Sequence, residues 1–242
     1  METYLGMAQL GLFVAGYGVS AGIIAGFEAI LTAYFQPRLY RDANKNQTAE
    51  LAQAWGRYAR AVVPSLILTV AMIVLLAPEF TRILLGQQFQ GAVSFVVWGA
   101  LAEATRVLTG VYSLSAHVNM QTRWLIVPNA VGAVLAITLC MLFIPYMGAI
   151  GAAIALALAG LLVVTLFHIM LANRSDGSLP LRALGPAALA TFVLCALVLG
   201  MRAVFKTEDW LVAIGTVVII GLVYLGLLYK LLRRHIVEMR EV

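Results

Sequence analysis

The chain has 242 residues, of which 62% are hydrophobic and only 11% charged, and its mean hydropathy is +0.95. That balance excludes a water-soluble domain and points to lipid as the main solvent. A formal net charge of +5 would fit a nucleic-acid partner only if the basic residues formed one stripe. They lie instead in the breaks between apolar runs, so no nucleic acid is expected.

Helices are predicted at about 8–36, 59–78, 91–117, 123–145, 148–172, 183–204 and 209–233, each of roughly 20 residues or more and so able to cross a hydrocarbon core of about 30 Å. Met1 to Tyr4 has no basic flank, and no A-x-A-like site interrupts the first apolar stretch, so no cleavable signal peptide is predicted. The longest hydrophilic segment, Gln36 to Arg60, is expected to be a cytoplasmic basic loop in which Ala49 to Arg60 forms an amphipathic interfacial helix. The other breaks are short and imply antiparallel neighbours in one bundle. The fold class is therefore all-α: a single polytopic transmembrane bundle of about seven helices over residues 1–242.

Orientation follows from the basic residues on alternate sides. Twelve fall on one side (Arg38, Arg41, Lys45, Arg57, Arg60, Arg123, Arg174, Arg182, Lys230, Arg233, Arg234 and Arg240), against Arg82, Arg202 and Lys206 on the other. The asymmetry predicts the N-terminus outside and the C-terminus in the cytoplasm. An outside start with no orienting flank suggests a partial chain.

Ionisable groups at membrane depth cost roughly 2.5–3.5 kcal/mol each, so Glu28, Glu103 and Arg106 each need a reason. On the third predicted helix, Gly99, Glu103, Arg106, Gly110, Ser113 and His117 share one face, and Glu103 and Arg106 are spaced to pair. On the first, Tyr17, Ala21, Glu28, Thr32 and Phe35 share a face, while Gly18, Gly22 and Gly26 form a separate row suited to helix packing or bending. Two interpretations of the charges stand: a self-neutralised structural pair, or a transport site. His117 and His168 are expected near the interface, and Asn129, after Pro128, near a helix start. Cys140 and Cys195 fall inside apolar runs and read as packing residues, with no disulfide or metal site. No motif of a soluble enzyme is present: HExxH, P-loop, GxSxG and CxxC are all absent, so neither an enzyme nor a cofactor is expected. Lys230 lies at the end of the last predicted helix, too shallow to carry retinal.

G-L-F-V-A-G-Y-G-V-S-A-G from Gly11 to Gly22, F-Q-P-R-L-Y-R from Phe35 to Arg41, Pro78-Glu79 followed by Ile83-Leu84-Leu85-Gly86 and Phe89, and I-P-Y-M-G-A-I-G-A-A from Ile144 to Ala153 together resemble the bacterial polysaccharide and O-antigen flippases. That family belongs to the superfamily of multidrug, oligosaccharidyl-lipid and polysaccharide exporters. The chain looks similar to the C-terminal lobe alone, beginning near the eighth of fourteen helices. The resemblance implies a multi-pass protein of the bacterial inner membrane that flips a lipid-linked oligosaccharide in polysaccharide or lipopolysaccharide biosynthesis. It also implies membrane lipids as partners. The missing N-terminal lobe departs from the family, so the chain is expected either to be a truncated or split product or to pair with another chain, a separate N-terminal lobe or glycan-assembly enzymes. On this view Arg106, Glu103 and Ser113 bind substrate and Glu28 serves coupling. The alternatives are a drug or small-molecule exporter of the same superfamily and a non-transporting scaffold of a glycan-assembly complex.

Overall fold

The computed structural model describes residues 6–43, 48–118, 122–172, 184–204 and 210–238, and every regular element among them is helical. The elements are α1 (Met7–Ala43), α2 (Thr48–Leu75), α3 (Ala77–Phe80), a π-helical turn (Thr81–Leu85), a 3₁₀ segment (Gln87–Ala92), α4 (Val93–Val118), a 3₁₀ turn (Thr122–Leu125), α5 (Ile126–Met147), α6 (Ala149–Ala172), α7 (Leu184–Val204) and α8 (Trp210–Glu238). Seven of these helical stretches are long and apolar enough to span a membrane.

The predicted spans stand where expected, with one correction. The segment from Gln36 to Arg60 is helical on both flanks: α1 runs on to Ala43 through Pro37, and α2 begins at Thr48 and continues unbroken into its span. Ala49 to Arg60 is thus the first part of α2 rather than a separate interfacial helix. Packing accounts for this, because Ala54, Trp55, Tyr58 and Ala59 are buried in the bundle. The Trp55 indole N–H donates to the carbonyl of Val111 on α4 at 2.9 Å, tying that part of α2 to the bundle.

α2 is the hub. Of its most apolar window 72% is buried, against 11% for α5, so α2 is surrounded by protein while α5 presents Ile126, Val134, Ile137 and Met141 outward. On one side of α2 the row runs α1, α4, α6, α5; on the other lie α7 and α8, which pack on α2 and on each other. The core fills with Ile24 of α1, Trp55, Leu66, Leu68 and Ile73 of α2, Val96 and Tyr112 of α4, Phe167 of α6, Leu194 and Val198 of α7 and Ile220 of α8.

Close helix approach depends on glycines other than the row singled out in the sequence. A Cβ on Gly16 would meet the Ala92 carbonyl oxygen at 2.6 Å, and one on Gly99 the Tyr17 backbone at 3.2 Å, so these two residues set the α1–α4 distance. A Cβ on Gly160 would stand 2.0 Å from Thr105 Oγ1, which closes α6 on α4. Gly18, Gly22 and Gly26 are exposed, and no heavy atom lies within 4 Å of the position where each would carry a Cβ. The role expected for them, packing within the bundle, is filled by Gly16, Gly99 and Gly160.

Candidate functional site

The α1–α4 contact brings the three intramembrane charges into one network. α1 and α4 run in the same direction, so Gly16 meets Ala92 and Phe95, Ser20 bonds Val96, and Glu28 reaches Arg106. The Ser20 hydroxyl donates to the Val96 carbonyl at 2.6 Å, locking this register with a fully buried side chain. Tyr17, in a ring stack with Phe13, donates its hydroxyl to Glu103 Oε1 at 2.5 Å. The other oxygen of Glu103 accepts from Arg106 Nε at 2.6 Å, and Arg106 Nη2 donates to Glu28 Oε2 at 2.7 Å.

The order along the chain of bonds is therefore Tyr17, Glu103, Arg106, Glu28, with two carboxylates against one guanidinium. Exposure differs among the three charges: the Glu103 side chain is 8% exposed, Glu28 28% and Arg106 50%. Glu103 is the buried anchor, and half of the Arg106 side chain is exposed. A half-open cation at membrane depth, held in plane by two carboxylates, can present its remaining N–H groups to an anionic oxygen.

The pairing of Glu103 and Arg106 at three-residue spacing is present, and Glu28 joins it. From sequence, Glu28 stood on a different helix with a separate task. The signal was there in part, since Tyr17 and Glu28 share one face of α1, but only helix packing shows that this face meets the Glu103 face. Ser113 is placed differently from its expected partners: its hydroxyl donates to the Thr109 carbonyl of its own helix at 2.8 Å, and it makes no bond to the network among the described residues. Thr32 likewise donates to the Glu28 carbonyl at 2.8 Å. His117 is exposed near the end of α4, whereas His168 Nδ1 pairs with the hydroxyl of buried Tyr112 at 2.9 Å across the α4–α6 seam. Asn129 donates to the Leu125 carbonyl at 2.6 Å, at the start of α5.

A second ion pair was not singled out from the sequence. Glu79, 3% exposed, accepts from Arg202 in bidentate fashion, and Arg202 Nη2 also donates to the Leu75 carbonyl at 2.7 Å. From sequence, Glu79 stood only in the Pro78-Glu79 joint and Arg202 only in the count of basic residues, near the end of a predicted helix. A carboxylate directly after Pro78 at the end of an apolar run, and an arginine still inside one, were the available signs. The pair joins the end of α7 to the break after α2 and borders a cavity of about 330 Å³ that also touches Arg82, Gln90 and Ala213. Among the described residues no group of three or more His, Cys, Asp or Glu side chains is placed to hold a metal ion.

Seven packed spans with paired charges define a polytopic helical membrane protein. One solved structure with this fold is the lipid II flippase MurJ in its inward closed conformation, at a TM-score of 0.68 and 16% identity. The likeness covers 94% of this chain and 48% of that one, so the chain spans about half the length of the flippase. No family model matches the sequence, and no curated protein matches it.

Proposed function

We propose that this chain is one lobe of a flippase that carries a lipid-linked oligosaccharide, on an isoprenoid diphosphate, across the bacterial inner membrane in polysaccharide or lipopolysaccharide biosynthesis. The observation that carries the reading is Arg106, a half-exposed guanidinium at membrane depth, oriented by Glu103 in a protein of flippase-like fold. An arginine fork matches the paired oxygens of a diphosphate, and a low-dielectric surround strengthens that contact. Glu103 holds the guanidinium, Glu28 is the coupling group, and Ser113 lines the same helix nearer its C-terminal end.

A second lobe closes against this one, so that substrate passes between lobes by alternating access. Glycan-assembly enzymes supply the substrate. The twelve-to-three distribution of basic residues sets the N-terminus outside and the C-terminus in the cytoplasm.

The test is the Arg106→Ala substitution. Glycan export in cells is expected to stop while the protein stays at normal abundance, and binding of an isoprenyl diphosphate to the purified chain to weaken by at least about tenfold, the equivalent of one lost charge-assisted contact. Undiminished export and binding would remove Arg106 from the site.

A further inference from the structure

We propose that Glu28 is a built-in competitor of the anionic ligand: its carboxylate occupies Arg106 Nη2, which a diphosphate would take, and binding requires that it swing away. The inference rests on the placement of a diphosphate at Arg106 argued above, and it concerns how that site is regulated.

The two carboxylates on Arg106 are not equivalent. Glu103 is held at both oxygens, by Tyr17 at 2.5 Å and by Arg106 Nε at 2.6 Å, and its side chain is buried. Glu28 has a single charged contact, from Oε2 to Nη2 at 2.7 Å, and is more than three times as exposed. Glu103 therefore fixes the guanidinium at Nε and leaves Nη1 and Nη2 to other partners. Glu28 takes Nη2 alone. A phosphate oxygen pair engages both, and two parallel charge-assisted bonds displace one.

There is also room for the displaced carboxylate. Its other oxygen, Oε1, lies beside Gly110, 4.0 Å from where a Cβ on that residue would stand. Gly110 is exposed and has no side chain to block rotation of Glu28 along α4. Tyr17 then acts as a positioning residue, because it keeps Glu103 from following the ligand.

A competitor bonded for about nine-tenths of the time lowers the apparent affinity about tenfold. The substitutions therefore have opposite signs. With undecaprenyl diphosphate as the probe and the chain reconstituted in phosphatidylcholine vesicles, Glu28→Gln is expected to bind about tenfold more tightly than the parent. Tyr17→Phe and Glu103→Gln are expected to bind more weakly. Glu28→Asp separates displacement from mere charge: it keeps the negative charge but is one methylene short of Nη2, so a competitor predicts tighter binding and a pure field effect predicts none. Unchanged or weaker binding in both Glu28 variants overturns the proposal, whereas if Arg106→Ala leaves affinity intact, the diphosphate site itself falls. Failure of the parent and of Glu28→Gln alike to bind the probe would overturn both. Circular dichroism of each variant confirms the fold, and Glu28→Asp supplies the answer should Glu28→Gln fail to insert.

Discussion

At the scale of single residues, two ion pairs do different work because their burial differs. Glu79 is sealed from solvent, and Arg202 satisfies both its carboxylate and the Leu75 carbonyl. Removing one partner leaves an uncompensated buried charge, at a cost of about 3–5 kcal/mol, while replacing both by apolar residues of similar size is far milder. Thermal unfolding in detergent is thus expected to rank Glu79→Leu and Arg202→Met as the damaged variants, with the double substitution closer to the parent. Additive losses in that cycle would mean that the two side chains act independently. The Arg106 network behaves otherwise. Half of that guanidinium is open, so its substitution is expected to change ligand binding more than stability.

At the scale of elements, the α1–α4 and α4–α6 seams depend on bare backbone. Gly160→Ala would drive a methyl group into the Thr105 side chain, whose hydroxyl is already committed to the Ala102 carbonyl, so α6 must move off α4 at about 1–3 kcal/mol. Gly22→Ala meets nothing within 4 Å, and in the isolated chain it should shift stability by no more than about 0.5 kcal/mol. Comparing the two melting temperatures tests whether close approach or glycine content matters. The sequence row Gly18, Gly22, Gly26 was easy to see and Gly16, Gly99 and Gly160 were not. A periodic row reads from spacing, while close approach depends on which neighbour arrives. Helix existence was legible because each apolar run is long. The continuation of α2 back to Thr48 was not, since Trp55 and Tyr58 look interfacial until Val111 and the core cover them.

At the scale of the whole molecule, the proposed orientation rests on charge bias, and labelling checks it. A cysteine at Tyr40, exposed near the end of α1, should react with an impermeant thiol reagent only from the cytoplasmic side, and one at Gln87, exposed before α4, only from the outside. The reverse pattern would invert the proposed topology. Composition and periodicity by themselves determined that this is a seven-span helical membrane protein and that Glu28, Glu103 and Arg106 are its costly charges, because hydropathy and insertion energy are properties of local sequence. Only the tertiary structure decided that the three charges form one network with Tyr17, that Ser113 turns to its own helix, and that Glu79 finds Arg202. The contacts of Tyr17 with Glu103, Glu28 with Arg106 and Glu79 with Arg202 join residues 78 to 123 positions apart, and they are set by which helices pack and in what register.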